Sequence, residues 1–226
     1  MRLLAASVAL LLVVGGCSQQ PPANTAAPAP AGPTSLPAPG IPSQVPTDGN
    51  RPPADDLPPP AEPQQAPPQT APIPGRIVPI GKTPEGVVVD AATRMVAVAT
   101  RDPDELVLLN ADTDQIAQRV PLPGFVRHLQ LANPGGPVLV PVESANSLIR
   151  VELPSGLALP QVNTGIVPHD AAQAENGTVF VANEHGGTVT VLRGLQVLKV
   201  FADSVQPAGL ASVGQSMGLI DVRRTI

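Results

Sequence analysis

The apolar positions after residue 75 form short runs separated by polar turns. Three β-rich runs, at 96–100, 138–142 and 179–183, end 42 and 41 positions apart. Each is followed by a polar turn and a second apolar run, at 106–109, 148–153 and 189–192. Such lengths are typical of β-strands. No segment longer than ten residues has a convincing helical period, so the pattern predicts an all-β fold.

The pattern repeats along the chain. Pro84, Val126, Pro168 and Pro207 open successive units, with spacings of 42, 42 and 39. A further run closes each unit, at 115–120, 157–162 and 196–201. Four short strands per unit of this length is the period of β-propeller blades. Two runs of a fourth unit follow at 209–213 and 217–222, so we predict about three and a half four-stranded blades within 75–226.

One unit resembles a known family. Val179-Phe-Val-Ala-Asn183 and Thr188-Val-Thr-Val191 are similar to the YVTN-type β-propeller repeats, whose blades pair a Tyr-Val-Thr-Asn-like strand with a Thr-Val-x-Val strand. The other units are degenerate, with Ala-Val-Ala-Thr and Leu-Val-Pro-Val in place of the signature. The resemblance covers about 76–226 and implies the fold rather than a function, because propellers host many unrelated activities.

The number of blades is lower than a closed ring needs. The resemblance implies about seven blades, or roughly 300 residues. Residues 76–80 are predicted to be the last strand of a blade that lacks its other three. Three interpretations follow: a truncated gene product, which the sequence favours; a partial propeller completed by a second copy or another protein partner; or a stable open arc.

The first seventeen residues have the pattern of an export signal. Arg2 precedes an apolar run over 3–14 that would span about 18 Å as a helix, short of the ~30 Å hydrocarbon core. Val14-Gly15-Gly16-Cys17 resembles the bacterial lipobox. The resemblance implies peptidase recognition of Val14, Gly15 and Gly16, removal of a 1–16 signal peptide, and lipidation of Cys17. The expected location is the extracytoplasmic face of a membrane. The alternative is an ordinary secretory signal with an incidental cysteine.

A proline-rich segment follows the cysteine. Residues 18–74 contain 19 of the 31 prolines and no aromatic residue. Such a segment buries too little apolar surface to offset its chain entropy. We therefore predict that 17–74 is the lipidated cysteine with a disordered tether, locally in polyproline II.

Composition excludes several partners and sites. The net charge is −5, the only basic pair after residue 75 is Arg223–Arg224, and Trp and Tyr are absent, which argues against nucleic acid. A single cysteine excludes an intramolecular disulfide and a Cys-based zinc site. No cofactor is predicted.

Three residues are candidates for a ligand or metal site. His128 and His169 each lie at the start of a predicted first strand, and Glu85 takes the equivalent place in the first unit. First strands border the channel of a propeller, so these side chains could crowd one channel mouth and bind a metal or a small anion. The alternative is a structural histidine hydrogen-bonded to the neighbouring blade. His185, in a Glu-His-Gly-Gly turn, is predicted to be solvated.

The sequence favours a displayed binding or scaffold module without catalysis. It has no Gly-x-Ser-x-Gly elbow, and no catalytic residue is assigned. The alternatives are a propeller hydrolase of the lactonase type or a metal-binding protein, either of which a truncation would inactivate.

Overall fold

The computed structural model describes residues 67–68, 70–72, 74–202 and 204–222. The predicted signal peptide, the lipobox with Cys17, and all but a few residues of the predicted tether lie outside these ranges. The described strands are β1 (Lys82–Asp90), β2 (Met95–Arg101), β3 (Glu105–Asn110), β4 (Ile116–Pro121), β5 (Gln130–Leu131), β6 (Val138–Val142), β7 (Ser147–Val151), β8 (Val162–Asn163), β9 (Pro168–Gln173), β10 (Val179–Asn183), β11 (Thr188–Arg193), β12 (Gln196–Phe201), β13 (Pro207–Val213) and β14 (Ser216–Asp221).

Consecutive strands pair antiparallel into blades. The first sheet has the order β1-β2-β3-β4, the second β5-β6-β7-β8 and the third β9-β10-β11-β12, while β13 and β14 form a hairpin. Three full blades and two strands of the next confirm the predicted all-β partial propeller. The predicted runs 138–142, 179–183 and 196–201 coincide with β6, β10 and β12. The only helical element in the described ranges is a 3₁₀ turn at Glu143–Ala145, and none of them holds a helix long and apolar enough to cross a membrane.

The outer strand of the second sheet is shorter than predicted. The sequence predicts a strand over 157–162, but β8 covers only Val162–Asn163, with one isolated bridge from Ala158 to Val151. Pro160 lies in this stretch. Because proline has no N–H to donate, it interrupts a strand ladder.

Alternation along each strand divides its side chains between two interfaces. Val138 and Val140 of β6 pack in a core shared with the first sheet, whereas Leu139 packs in a core shared with the third. In β10, Val181 faces the second sheet and Ala182 packs with Leu210 of the hairpin. The alternation therefore lets the second and third sheets each pack against the elements on both sides.

Residues 76–80 do not form the predicted blade strand. They pair with no strand of the described ranges and lie across the open face of the first sheet instead. Val78 and Ile80 pack against Val98 and its apolar neighbours there, and Arg119 Nη2 donates a hydrogen bond to the Ile80 carbonyl at 2.8 Å. The prediction of a strand was therefore wrong, because only Val78 and Ile80 are partly buried and they pack on a face rather than pair at an edge.

Asp90 ends β1 and closes its turn to β2. Its Oδ2 accepts hydrogen bonds from the N–H and hydroxyl of Thr93, at 2.8 and 2.6 Å. Its Oδ1 accepts from the N–H of Gly135, in the loop between β5 and β6, at 3.0 Å. These bonds, led by that from the Thr93 hydroxyl, lower the pKa of Asp90 from 3.8 to about 2. Asp90 thus stabilises both a turn and a contact between sheets.

The depressed pKa predicts an acid-sensitive contribution to stability. Because the folded-state pKa lies below the unfolded value, the contribution is complete above about pH 4 and is lost as the pH falls toward about 2. Asp90→Asn removes this titration. We expect the thermal unfolding midpoint of the variant to fall less between about pH 5 and pH 2.5 than that of the parent protein. Equal falls, measured by circular dichroism, would contradict the prediction.

Candidate functional site

The first strands of neighbouring sheets lie side by side. β1 contacts β5, β5 contacts β9, and β9 contacts β13. We call this side of the row the inner edge. The ionisable side chains described below gather there because the repeat places equivalent residues at the same end of successive sheets.

Two repeat positions carry ionisable side chains in all three sheets. The first position lies within the first strand of a sheet or just before it. The second position is the last residue of the second strand or the residue directly after it. Within each sheet the two positions are in contact. The pairs are Arg101 Nη2 with Glu85 Oε2 at 2.9 Å, Arg127 Nε with Glu143 Oε2 at 3.3 Å, and His169 Nδ1 with Glu184 Oε2 at 3.4 Å.

Further contacts join these pairs across the sheets. Glu143 Oε1 lies 2.9 Å from His169 Nδ1, and Gln206 Nε2 donates to Glu184 Oε1 at 2.8 Å. A polar chain thus runs from Arg127 through Glu143, His169 and Glu184 to Gln206. The Glu143 side chain is 1% exposed and that of Glu184 is 7% exposed. Buried carboxylates are costly unless they are paired, and this chain supplies the partners.

Asp170 forms a second junction. It is 4% exposed, and its two oxygens each lie 3.0 Å from Gln130 Nε2 of the second sheet. Asp170 also accepts hydrogen bonds from the N–H groups of Ala171, at 2.8 Å, and of Leu210 in the hairpin, at 2.9 Å. Gln130 Nε2 is also 2.9 Å from the Leu210 carbonyl. One carboxylate therefore joins the second sheet, the third sheet and the hairpin.

The imidazole ring of His128 packs beside that of His169, which is a member of the polar chain. The ring centroids are 4.5 Å apart with an interplanar angle of 51°. The residue as a whole is exposed, although protein covers part of the ring. This partial burial, followed by the proximity of His169, lowers the pKa of His128. The neutral imidazole is therefore favoured at neutral pH.

The structure brings together two of the three predicted site residues. His128 and His169 are in ring contact, whereas the ion pair of Glu85 is with Arg101 in its own sheet. Gln130 pairs with Leu139 and Ala172 pairs with Phe180, so Gln130 and Ala172 are equivalent positions of two first strands. Three residues before them lie Arg127 and His169, so the residue equivalent to His169 is Arg127 rather than His128. Across the described ranges, no group of three or more His, Cys, Asp and Glu side chains is arranged to hold a metal ion.

Sequence reasoning missed four members of the polar chain. Glu143 and Glu184 each come directly after a second strand, one repeat apart, so the period itself was a signal for them. Arg127 could have been found in the same way, as the equivalent of His169. No comparable signal marks Gln206. His185, predicted to be solvated, is half-buried.

Comparisons with known proteins place the fold. No family model matches the sequence, and no curated protein is significantly similar to it. Solved structures do resemble the chain. A protein of unknown function from Desulfotomaculum acetoxidans has a TM-score of 0.53 at 16% identity, with 61% of this chain and 49% of that one covered. Kuenenia stuttgartiensis hydrazine synthase has a TM-score of 0.52 at 14% identity, covering 66% and 50%.

A third similar structure is that of a lyase. Catalytically inactive virginiamycin B lyase from Staphylococcus aureus with quinupristin has a TM-score of 0.53 at 10% identity, and 61% of this chain and 48% of that one are covered. The chain spans about half the length of each of these three structures. At such low identity the likeness concerns the fold alone. The described part of the chain is a set of stacked β-propeller blades.

Proposed function

We propose that the chain is a lipoprotein, anchored through Cys17 to the extracytoplasmic face of a membrane, that displays a non-catalytic binding or scaffold module of YVTN-type blades. The polar chain is the observation that carries the non-catalytic assignment. Glu143 and Glu184 are both nearly inaccessible and both engaged by internal partners. A general acid or base must come within hydrogen-bond reach of its substrate, and these carboxylates are occupied in joining sheets.

The anchoring part rests on the sequence pattern. An apolar run too short to span a membrane ends at the only cysteine, in a lipobox-like context, and a proline-rich segment follows it. One acyl chain binds membranes only marginally, so a stable anchor requires the two or three chains of a mature lipoprotein.

Mass spectrometry of the protein purified from bacterial membranes tests the anchor. We expect a mature chain that begins at Cys17 and carries the mass of a diacylglyceryl group on the thiol. Cys17→Ser is the matched control, because it removes the acceptor sulfur and keeps the rest of the signal. We expect this variant to carry no lipid and to leave the membrane fraction. An unmodified mature terminus at another residue would overturn the proposal.

A lactonase-like hydrolase is the alternative function. Its best candidate residue is His128, which is exposed at the inner edge. We expect no turnover of a panel of lactones above the buffer rate. Turnover that is lost in His128→Ala and retained in His185→Ala would contradict the non-catalytic assignment.

A further inference from the structure

We propose that His128 and His169 bind a late first-row divalent cation, such as Zn²⁺, Ni²⁺ or Cu²⁺, between the second and third sheets. Imidazole is a common ligand for these metals. This inference goes beyond the proposed function, and it does not depend on where the domain is anchored.

The spacing of the two rings fits a shared cation. Metal–nitrogen bonds of about 2.0–2.1 Å place each ring centre roughly 3.2 Å from the metal. If the angle between the two metal–nitrogen bonds is about 90–110°, the two ring centres lie roughly 4.5–5.2 Å apart. The observed separation of 4.5 Å lies at the near end of that range. With two protein ligands, water would complete the coordination.

The surroundings of His169 favour this role. Its Nδ1 faces the oxygens of Glu143 and Glu184, at 2.9 and 3.4 Å, which leaves Nε2 as the nitrogen for a cation. A histidine that binds metal through one nitrogen usually donates the other N–H to a carboxylate. His128 makes no hydrogen bond to any residue that the structure describes, so its nitrogens are free to bind a ligand.

The local charge also favours a cation. Among the residues that the structure describes, the carboxylates of Glu143, Glu184 and Asp170 lie around the two rings, together with the guanidinium of Arg127. A cation at the histidines would offset this excess of negative charge.

Titration with Zn²⁺ by isothermal calorimetry tests the site. The sequence contains three histidines and one cysteine, so the untagged full chain with Cys17→Ser offers few other ligands. We expect one Zn²⁺ per chain near pH 7.5. His128→Ala should lower the affinity by at least about tenfold, and Glu143→Gln by roughly 10–100-fold, as expected of an outer-shell partner.

Two controls keep the test decisive. His185→Gln removes the third histidine and should leave the affinity unchanged. His128 is exposed, so His128→Ala should keep the unfolding midpoint of the parent protein, and its loss of binding then reports the ligand rather than the fold. No Zn²⁺ binding by the parent chain, or undiminished binding by His128→Ala, would overturn the inference.

Discussion

Replacing Asp170 by alanine is expected to lower the free energy of unfolding by about 3 kcal/mol. Asp170 is 4% exposed and accepts hydrogen bonds from Gln130, Ala171 and Leu210. The substitution removes an acceptor from the buried N–H groups of Ala171 and Leu210 and from the partly buried Gln130 amide. Urea denaturation followed by circular dichroism measures the change.

Two further variants separate this effect from a general loss of charge. Asp170→Asn keeps the side-chain shape and one acceptor oxygen, so its cost should lie between those of the parent protein and Asp170→Ala. Asp112→Ala removes a carboxylate that is 54% exposed and pairs with Arg94, and it should change stability little. Equal stabilities of Asp170→Ala and Asp112→Ala would contradict the role given to Asp170.

Gly86→Ala is expected to destabilise the fold by a similar amount, about 3 kcal/mol. Gly86 has a φ of +57° at a register shift in β1, where an L-residue is strained. A Cβ there would also lie 2.6 Å from the carbonyl oxygen of Arg127, in the segment just before β5 of the second sheet. Because that atom belongs to the backbone, relief requires β1 and the segment before β5 to move apart.

Gly194→Ala is the matched control. Gly194 has a φ of +58°, but a Cβ built there meets no atom within 4 Å. Its cost should be that of the left-handed conformation alone, about 1 kcal/mol. The difference between the two variants, measured by urea denaturation, reports the close approach of the first and second sheets. Equal costs would show that the sheets are not held that closely.

The repeat predicted the sheets because its signals are local. Alternating apolar residues and polar turns determine where β6, β10 and β12 begin and end, and these signals need no knowledge of neighbouring sheets. The same reasoning failed for 76–80. Val78 and Ile80 of this run are partly buried, but the choice between pairing at an edge and packing on a face depends on tertiary structure.

The inner edge was only partly predictable for a related reason. Histidines are conspicuous in a sequence that has three of them, so His128 and His169 were found. Glu143 and Glu184 look like ordinary turn residues when each is considered alone. Their importance arises only when stacking places each carboxylate against a partner from the next element, His169 or Gln206.

A double-mutant cycle between Gln130 and Asp170 tests most directly whether the polar side chains of the inner edge hold neighbouring sheets together. The two residues belong to different sheets and lie 3.0 Å apart. Unfolding free energies of the parent protein, Gln130→Ala, Asp170→Ala and the double variant give their coupling. We predict a coupling of about 1–2 kcal/mol. Effects that add to within about 0.3 kcal/mol would contradict it.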